Sequence, residues 1–160
     1  MASITETIHL HADEGQSRWI LGQLLTFKLY GQGDGLGLFE MAIPPGGGAP
    51  PHLHRGQDET HYVLEGEYRF VCDGRAIEAG PRSLVHVPRG TAHAFTNTGA
   101  TTGRLLFVET PAGPLEQWLD EIGDPVDDPT SPPQGEPDMA RLAHAAERTG
   151  GIEFVDGERR

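Results

Sequence analysis

Basic residues are scarce in this 160-residue chain: 12 Lys and Arg stand against 24 Asp and Glu, a net charge of −12 with histidine neutral. That balance excludes a bare electrostatic grip on DNA, RNA or an anionic membrane surface, because polyanion binding runs on clustered cations. Long apolar runs are missing as well. The longest, residues 19–21 and 105–108, fall far short of the roughly 20 residues that cross a bilayer as a helix. The single cysteine, Cys72, can form neither an intrachain disulfide nor a CxxC pair, and reads as a small hydrophobe inside a strand. Gly-x-Ser-x-Gly does not occur, so nucleophilic serine or cysteine catalysis has no support. Gly31, Gly33, Gly35 and Gly37 alternate without a P-loop lysine and read as a hairpin connection rather than a phosphate cradle. The first residues, Met-Ala-Ser-Ile-Thr-Glu, lack a basic n-region and an apolar h-region, and the expectation is a cytoplasmic protein.

What the chain does hold is glycine and proline, 22 and 13 of them, which suit many turns between short strands better than a helical bundle. The charge is unevenly spread. Residues 1–108 carry 11 acidic against 8 basic side chains, and residues 109–160 carry 13 against 4. The length fits one compact domain, and the pattern predicts a β-barrel over residues 1–110 followed by an extension over 111–160 that packs on the barrel or on a partner subunit. Within the extension two short helices are expected, 114–122 and 137–149, with apolar stripes Leu115/Trp118/Leu119/Ile122 and Met139/Leu142/Ala143/Ala146. The Pro-rich stretch between them reads as an extended connector. Upstream, β-branched and aromatic runs predict strands at 18–30, 37–43, 60–64, 67–72, 75–79, 83–87, 92–98 and 103–109, with a weaker edge strand at 4–10. Asp73-Gly74 is a two-residue hairpin signal. Short antiparallel strands at this spacing argue an all-β closed barrel or jelly roll.

The chemistry concentrates in one stretch. His52 and His54 are two apart, so in a strand they share a face, as two imidazoles must to hold one ion. Residues 55–58 are turn-length, and Glu59 opens the next strand, where an antiparallel partner would bring its carboxylate beside the histidines. His93 follows a Pro88-x-Gly90 turn and offers a third imidazole. Such a mixed nitrogen and oxygen set suits Fe, Mn, Co, Ni, Zn or Cu rather than Ca²⁺ or Mg²⁺.

At these residues the sequence resembles the cupin family. Gly46, His52, His54, Glu59 and Gly66 meet the spacing of the family's first motif, and Gly80, Pro88, Gly90, His93 and Asn97 follow its second, with seven rather than five residues between Gly80 and Pro88. The phrasing around Asp58 to Glu67 and Val87 to Phe95 resembles the single-domain, quercetin 2,3-dioxygenase-like group. The resemblance implies a conical β-barrel, or jelly roll, holding one divalent transition metal per chain on His52, His54, Glu59 and His93. His61 shares the parity of Glu59 and is expected to face the cavity as a proton-transfer group or a further ligand. Phe95, Tyr68 and Phe70 are candidate pocket walls. His86 is a weaker candidate; the His9/His11 pair and His144 read as surface or packing residues.

The reading is therefore a metal-dependent oxygenase with Glu59 and His61 in catalytic roles, acting on a small flavonol-like, polyketide-like or otherwise enolizable substrate with O₂ as candidate co-substrate. A polyketide cyclase or isomerase that uses no O₂ is the runner-up, and a non-catalytic small-molecule-binding cupin is the third reading. No nucleic-acid or membrane partner is expected, and a homodimer is.

Overall fold

The computed structural model describes residues 6–156. Strands β1 (Gln16–Ile20), β2 (Gln23–Leu29), β3 (Gly37–Ile43), β4 (Gly48–Leu53), β5 (Asp58–Glu65), β6 (Tyr68–Cys72), β7 (Arg75–Ala79), β8 (Leu84–Val87), β9 (His93–Asn97) and β10 (Gly103–Thr110) come first. Helices α1 (Gly113–Ile122) and α2 (Met139–Thr149) and a two-residue strand β11 (Glu153–Phe154) follow. The strands form two antiparallel sheets, ordered β1-β2-β3-β10-β5-β8 and β11-β4-β9-β6-β7. This is the jelly-roll β-fold, with two helices toward the C-terminus.

Period-two alternation builds the interior. Phe39, Met41 and Ile43 of β3, Leu105 and Phe107 of β10, Val63 of β5 and Phe70 of β6 all point inward and are buried. Phe39 stacks on Phe107 with ring centroids 4.7 Å apart, and Phe70 meets Phe95 at 5.5 Å across two paired strands. Asn97 ties a loop to this core, donating to the Ile43 and Thr101 carbonyls and accepting from the Gly99 amide.

Several boundaries differ from expectation for local reasons. The strand expected over 18–30 is two strands, because Leu21 and Gly22 both take positive φ, 53° and 74°, the backbone of a two-residue hairpin turn. Asp73 and Gly74 make the same kind of turn between β6 and β7, as their sequence implies. No strand occurs over residues 6–10; the remainder of the expected 4–10 strand lies outside the described residues. Strand β11 has too few residues to carry a pattern and pairs with Leu53 and His52 on the outer edge of β4.

Helix α1 buries its whole expected stripe, Leu115, Trp118, Leu119 and Ile122, in the same apolar cluster as the barrel interior. Helix α2 is turned from its expected stripe. Leu142, Ala145 and Ala146 are buried, while Met139 and Ala143 are exposed. On this buried side the Trp118 indole donates to the Leu142 carbonyl, 3.2 Å away. Asp138 caps α2 through the Arg141 amide, and Gly150 closes it in the left-handed conformation. On the outer side Arg141 bonds Asp124 and the Glu121 carbonyl, and Arg148 pairs with Glu121. Among the described residues no helix is long and apolar enough to cross a membrane.

Candidate metal centre

His52, His54, Glu59 and His93 come together as expected, all buried, with one ligand atom from each lying within 4.8 Å of the others. The way they meet differs from expectation. Strand β4 does not pair with β5; it pairs with β9, setting His52 directly against His93 in one sheet. Glu59 reaches them across the barrel from the other sheet, where β5 pairs with β8 and β10. The site is thus an inter-sheet contact, and His54 sits just past the end of β4.

Each imidazole is aimed by its own backbone carbonyl. His52 Nδ1 lies 2.7 Å from the Pro50 oxygen, His93 Nδ1 lies 3.0 Å from the Thr91 oxygen, and His54 Nδ1 lies 2.6 Å from the Gly151 oxygen. A carbonyl only accepts, so all three rings carry a proton on Nδ1 and turn Nε2 inward, where its lone pair is what an ion would take. Glu59 Oε2 receives them, 2.8 Å from His93 Nε2 and 3.5 Å from His54 Nε2. Ligand atoms held about 2.1 Å from one ion stand roughly 3 Å apart at right angles, so these separations fit a single transition metal. His54 Nε2 has no hydrogen-bond partner in the protein, which is the condition of a buried donor atom meant for an ion.

The charges of Glu59 and His52 agree with that fit, whereas His93 without an ion is drawn toward its protonated form. Burial opposes ionising Glu59, but the imidazoles packed around its oxygens, His61, His54 and His93, outweigh it and hold the carboxyl well below its ordinary range. Burial, with the neighbouring His93 and His54, drives His52 well below the ordinary histidine value, toward the neutral ligand form. Burial also opposes the His93 cation, yet the Glu59 hydrogen bond and charge raise that ring. The turn before His93 is tied to the start of β5 by Asp58, which takes the Arg89 guanidinium at 2.7 and 3.1 Å and the Arg89 amide at 2.9 Å.

His61 is 1% exposed and its Nε2 lies 3.3 Å from Glu59 Oε2. Its ring is packed by Phe70, Phe95 and Phe107 at centroid distances of 5.0, 5.2 and 5.9 Å. A cavity of about 60 Å³ opens beside the cluster. His52, His54, Glu59 and His61 form one wall, Leu25, Met41, Phe95 and Phe107 continue it inside the barrel, and Leu115, Trp118, Leu119, Ile152 and Phe154 close it from the C-terminal segment. Of the candidate pocket walls Phe95 lines the cavity. Phe70 lies behind it against His61, and Tyr68 is core, packed where Gly103 approaches its hydroxyl. His86 is exposed and bonds Thr60, while His9, His11 and His144 are exposed and away from the cluster.

Two residues of this region were not anticipated. Glu109 is 0% exposed, with Oε1 3.4 Å from His54 Nδ1 and neither oxygen hydrogen-bonded within the protein. Burial, then the charges of Glu59 and Asp58, push its carboxyl well above the ordinary range. Gln23 is 1% exposed and lines the cavity. Parity carried both signals: Glu109 continues the inward row of Leu105 and Phe107, and Gln23 begins that of Leu25 and Phe27.

Residues 39–109 match the family model of the cupin domain. The chain is 33% identical over 82 residues to a quercetin 2,3-dioxygenase of Bacillus subtilis (strain 168), a match covering 51% of this chain and 24% of that protein. It is 32% identical over 68 residues to an oxalate-binding protein of Thermotoga maritima, covering 42% and 56% respectively. The matches therefore span about a quarter to about half the length of these relatives. The solved structure of the polyketide cyclase RemF from Streptomyces resistomycificus superposes with a TM-score of 0.58 at 26% identity, over 66% of this chain and 80% of that one.

Proposed function

The chain belongs to the cupin family, and from that premise we propose that it is a metal-dependent oxygenase of a compact, enolizable oxygen compound. The observation that carries the reading is the pairing of a three-imidazole, one-carboxylate cluster with an otherwise apolar cavity into which a further buried histidine, His61, is packed. A divalent ion held by His52, His54, Glu59 and His93 would supply Lewis acidity and, for Fe, Mn, Co, Ni or Cu, one-electron chemistry. Glu59 Oε2 accepts the proton that enolization releases, and His61 Nε2, 3.3 Å away, is placed to take it onward. Phe95, Phe107 and Trp118 keep water out, which strengthens these electrostatic contacts and suits apolar dioxygen.

Size sharpens the substrate. A cavity of about 60 Å³ is well below the roughly 150 Å³ that takes a benzene ring, so a flavonol-sized molecule would have to displace Leu115, Trp118 and Phe154. The 33% identity to a quercetin 2,3-dioxygenase supports oxygenase chemistry. The likeness to a polyketide cyclase supports a second reading, in which the same proton transfer at Glu59 and His61 proceeds without O₂. We further propose that the protein works as a cytoplasmic homodimer.

The test is metal content by mass spectrometry followed by oxygen uptake with 1,3-diketones, 2-oxo acids, catechols and flavonols. Oxygen consumption with a compact enolizable substrate, abolished in a folded His93→Ala variant, is the expected result. Tight zinc with no oxygen consumption under any metal loading would sink the oxygenase and favour the cyclase.

A further inference from the structure

Gln23 stands where the pattern of β2 calls for an apolar side chain, in the inward row of Leu25 and Phe27. Apart from the metal-centre groups and the Trp118 indole, whose N–H is already bonded, it is the only polar side chain among the described residues lining the cavity. Its Nε2 donates to the Gly48 carbonyl at 2.7 Å, which fixes the amide's orientation and leaves Oε1 as the free acceptor. That oxygen is sealed from solvent and has no hydrogen-bond partner in the protein. Gly48 opens β4 and His52 lies four residues further on, so the amide and the metal centre line the same cavity at different points along that strand.

Resting on the metal-centre reading above, we propose that Gln23 Oε1 is the specificity contact of this site. The ligand is then a compact oxygen chelator, of the 2-oxo acid or enol type, with an O–H or N–H at the end remote from the metal, and any member too large for the cavity of about 60 Å³ must displace the Leu115 and Trp118 roof to bind. Unpaired buried acceptors are rare because they forfeit their hydration, so a ligand that supplies a donor recovers what folding gave up, and one that supplies a methyl group does not. Discrimination of this kind comes from the unpaired group as much as from the bond.

The experiment uses the full chain loaded with cobalt(II), whose visible absorption reports ligand binding without turnover. Matched pairs differing by hydroxyl for methyl are titrated at increasing length: hydroxypyruvate against 2-oxobutyrate, 4-hydroxy-2-oxobutyrate against 2-oxopentanoate, and 5-hydroxy-2-oxopentanoate against 2-oxohexanoate. At one length the hydroxy member should bind about tenfold or more tighter. Gln23→Met, of similar volume, should erase or reverse that preference with the cobalt spectrum unchanged. Should Gln23→Met fail to fold, Gln23→Asn retracts the acceptor by one methylene and should move the preference to the next longer pair. Equal binding of both members at every length by the cobalt-loaded protein overturns the assignment of Gln23. Failure to hold cobalt at all overturns instead the metal-centre reading, which the spectrum reports separately.

Discussion

Substituting Gly151 by alanine tests whether the C-terminal segment is part of the metal centre or merely lies beside it. A Cβ on residue 151 would stand 2.3 Å from the Pro114 oxygen, 2.6 Å from its carbonyl carbon and 2.9 Å from Leu115 Cα. All three obstacles are backbone atoms, and α1 cannot retreat easily because Leu115, Trp118, Leu119 and Ile122 anchor it in the core. Residue 151 must therefore yield by about 0.7 Å to reach the 3.0 Å that a Cβ tolerates. Its carbonyl is the acceptor for His54 Nδ1 at 2.6 Å, and the same displacement stretches that bond to about 3.3 Å, the outer edge of a hydrogen bond. Loosening the partner that orients a metal-binding histidine costs about 10- to 100-fold in metal affinity, and the overpacking itself costs about 1–3 kcal/mol of stability. Competition of zinc or nickel between the protein and a chromophoric chelator reads the first, and thermal unfolding reads the second. A folded Gly151→Ala protein that loses stability but keeps its metal affinity would refute the link, leaving Gly151 as a packing position only.

Glu109 bears on the same bond from the other side. Because burial favours its neutral form and the Gly151 oxygen is the nearer acceptor for His54, Glu109→Gln should keep metal affinity within about threefold and stability within about 1 kcal/mol. A tenfold loss in chelator competition would transfer the orienting role to Glu109. Tyr68 gives a pH prediction. Burial, helped by Glu65, pushes its phenol up to about 12, against about 10 in an unfolded chain. The raised value favours the protonated form in the folded protein, so its contribution is intact below about pH 10 and is lost as pH rises toward 12. Burial and Asp120 raise Tyr30 as well, so ultraviolet titration of tyrosinate absorbance should find two late-ionising phenols in the native protein and one in Tyr68→Phe; a Tyr68 step near pH 10 would contradict it.

The barrel was legible because its information is local. Alternation in β3, β5, β6 and β10, the Asp73-Gly74 turn and the stripe of α1 each lie within a dozen residues, where period and turn chemistry act directly. The four ligand residues were legible through spacing for the same reason. What spacing did not reveal was how they meet. Glu59 belongs to one sheet and His52 and His93 to the other, a closure decided by how two twisted sheets pack and by no neighbour in sequence. The rotation of α2 was equally hidden, since Ala145 and Ala143 are alike as residues and only the packing against α1 buries one and exposes the other. Glu109 and Gln23 were in plain view as polar residues in inward rows. Their burial becomes meaningful only when the cavity and His54 are found beside them.

The acidic last third of the chain changes meaning once its contacts are known. Its charge, 13 Asp and Glu against 4 Lys and Arg over residues 109–160, meets the barrel at only a few points, chiefly Glu116 on the Gly31 and Gln32 amides and Glu153 on Arg55. Helix α1 docks by its apolar stripe and α2 in turn packs on α1, with Asp120, Glu121, Asp124 and Asp138 spent on caps and surface pairs to Arg18, Arg141 and Arg148. Surface pairs of this kind add little to stability. The burial of Leu115, Trp118, Leu119, Ile122 and Ile152 therefore carries the docking, and it positions one backbone carbonyl, that of Gly151, against His54. The same apolar side chains roof the cavity. Metal geometry, cavity size and the seating of the segment are thus three readings of one packed surface, and a change that shifts any of them must move the other two.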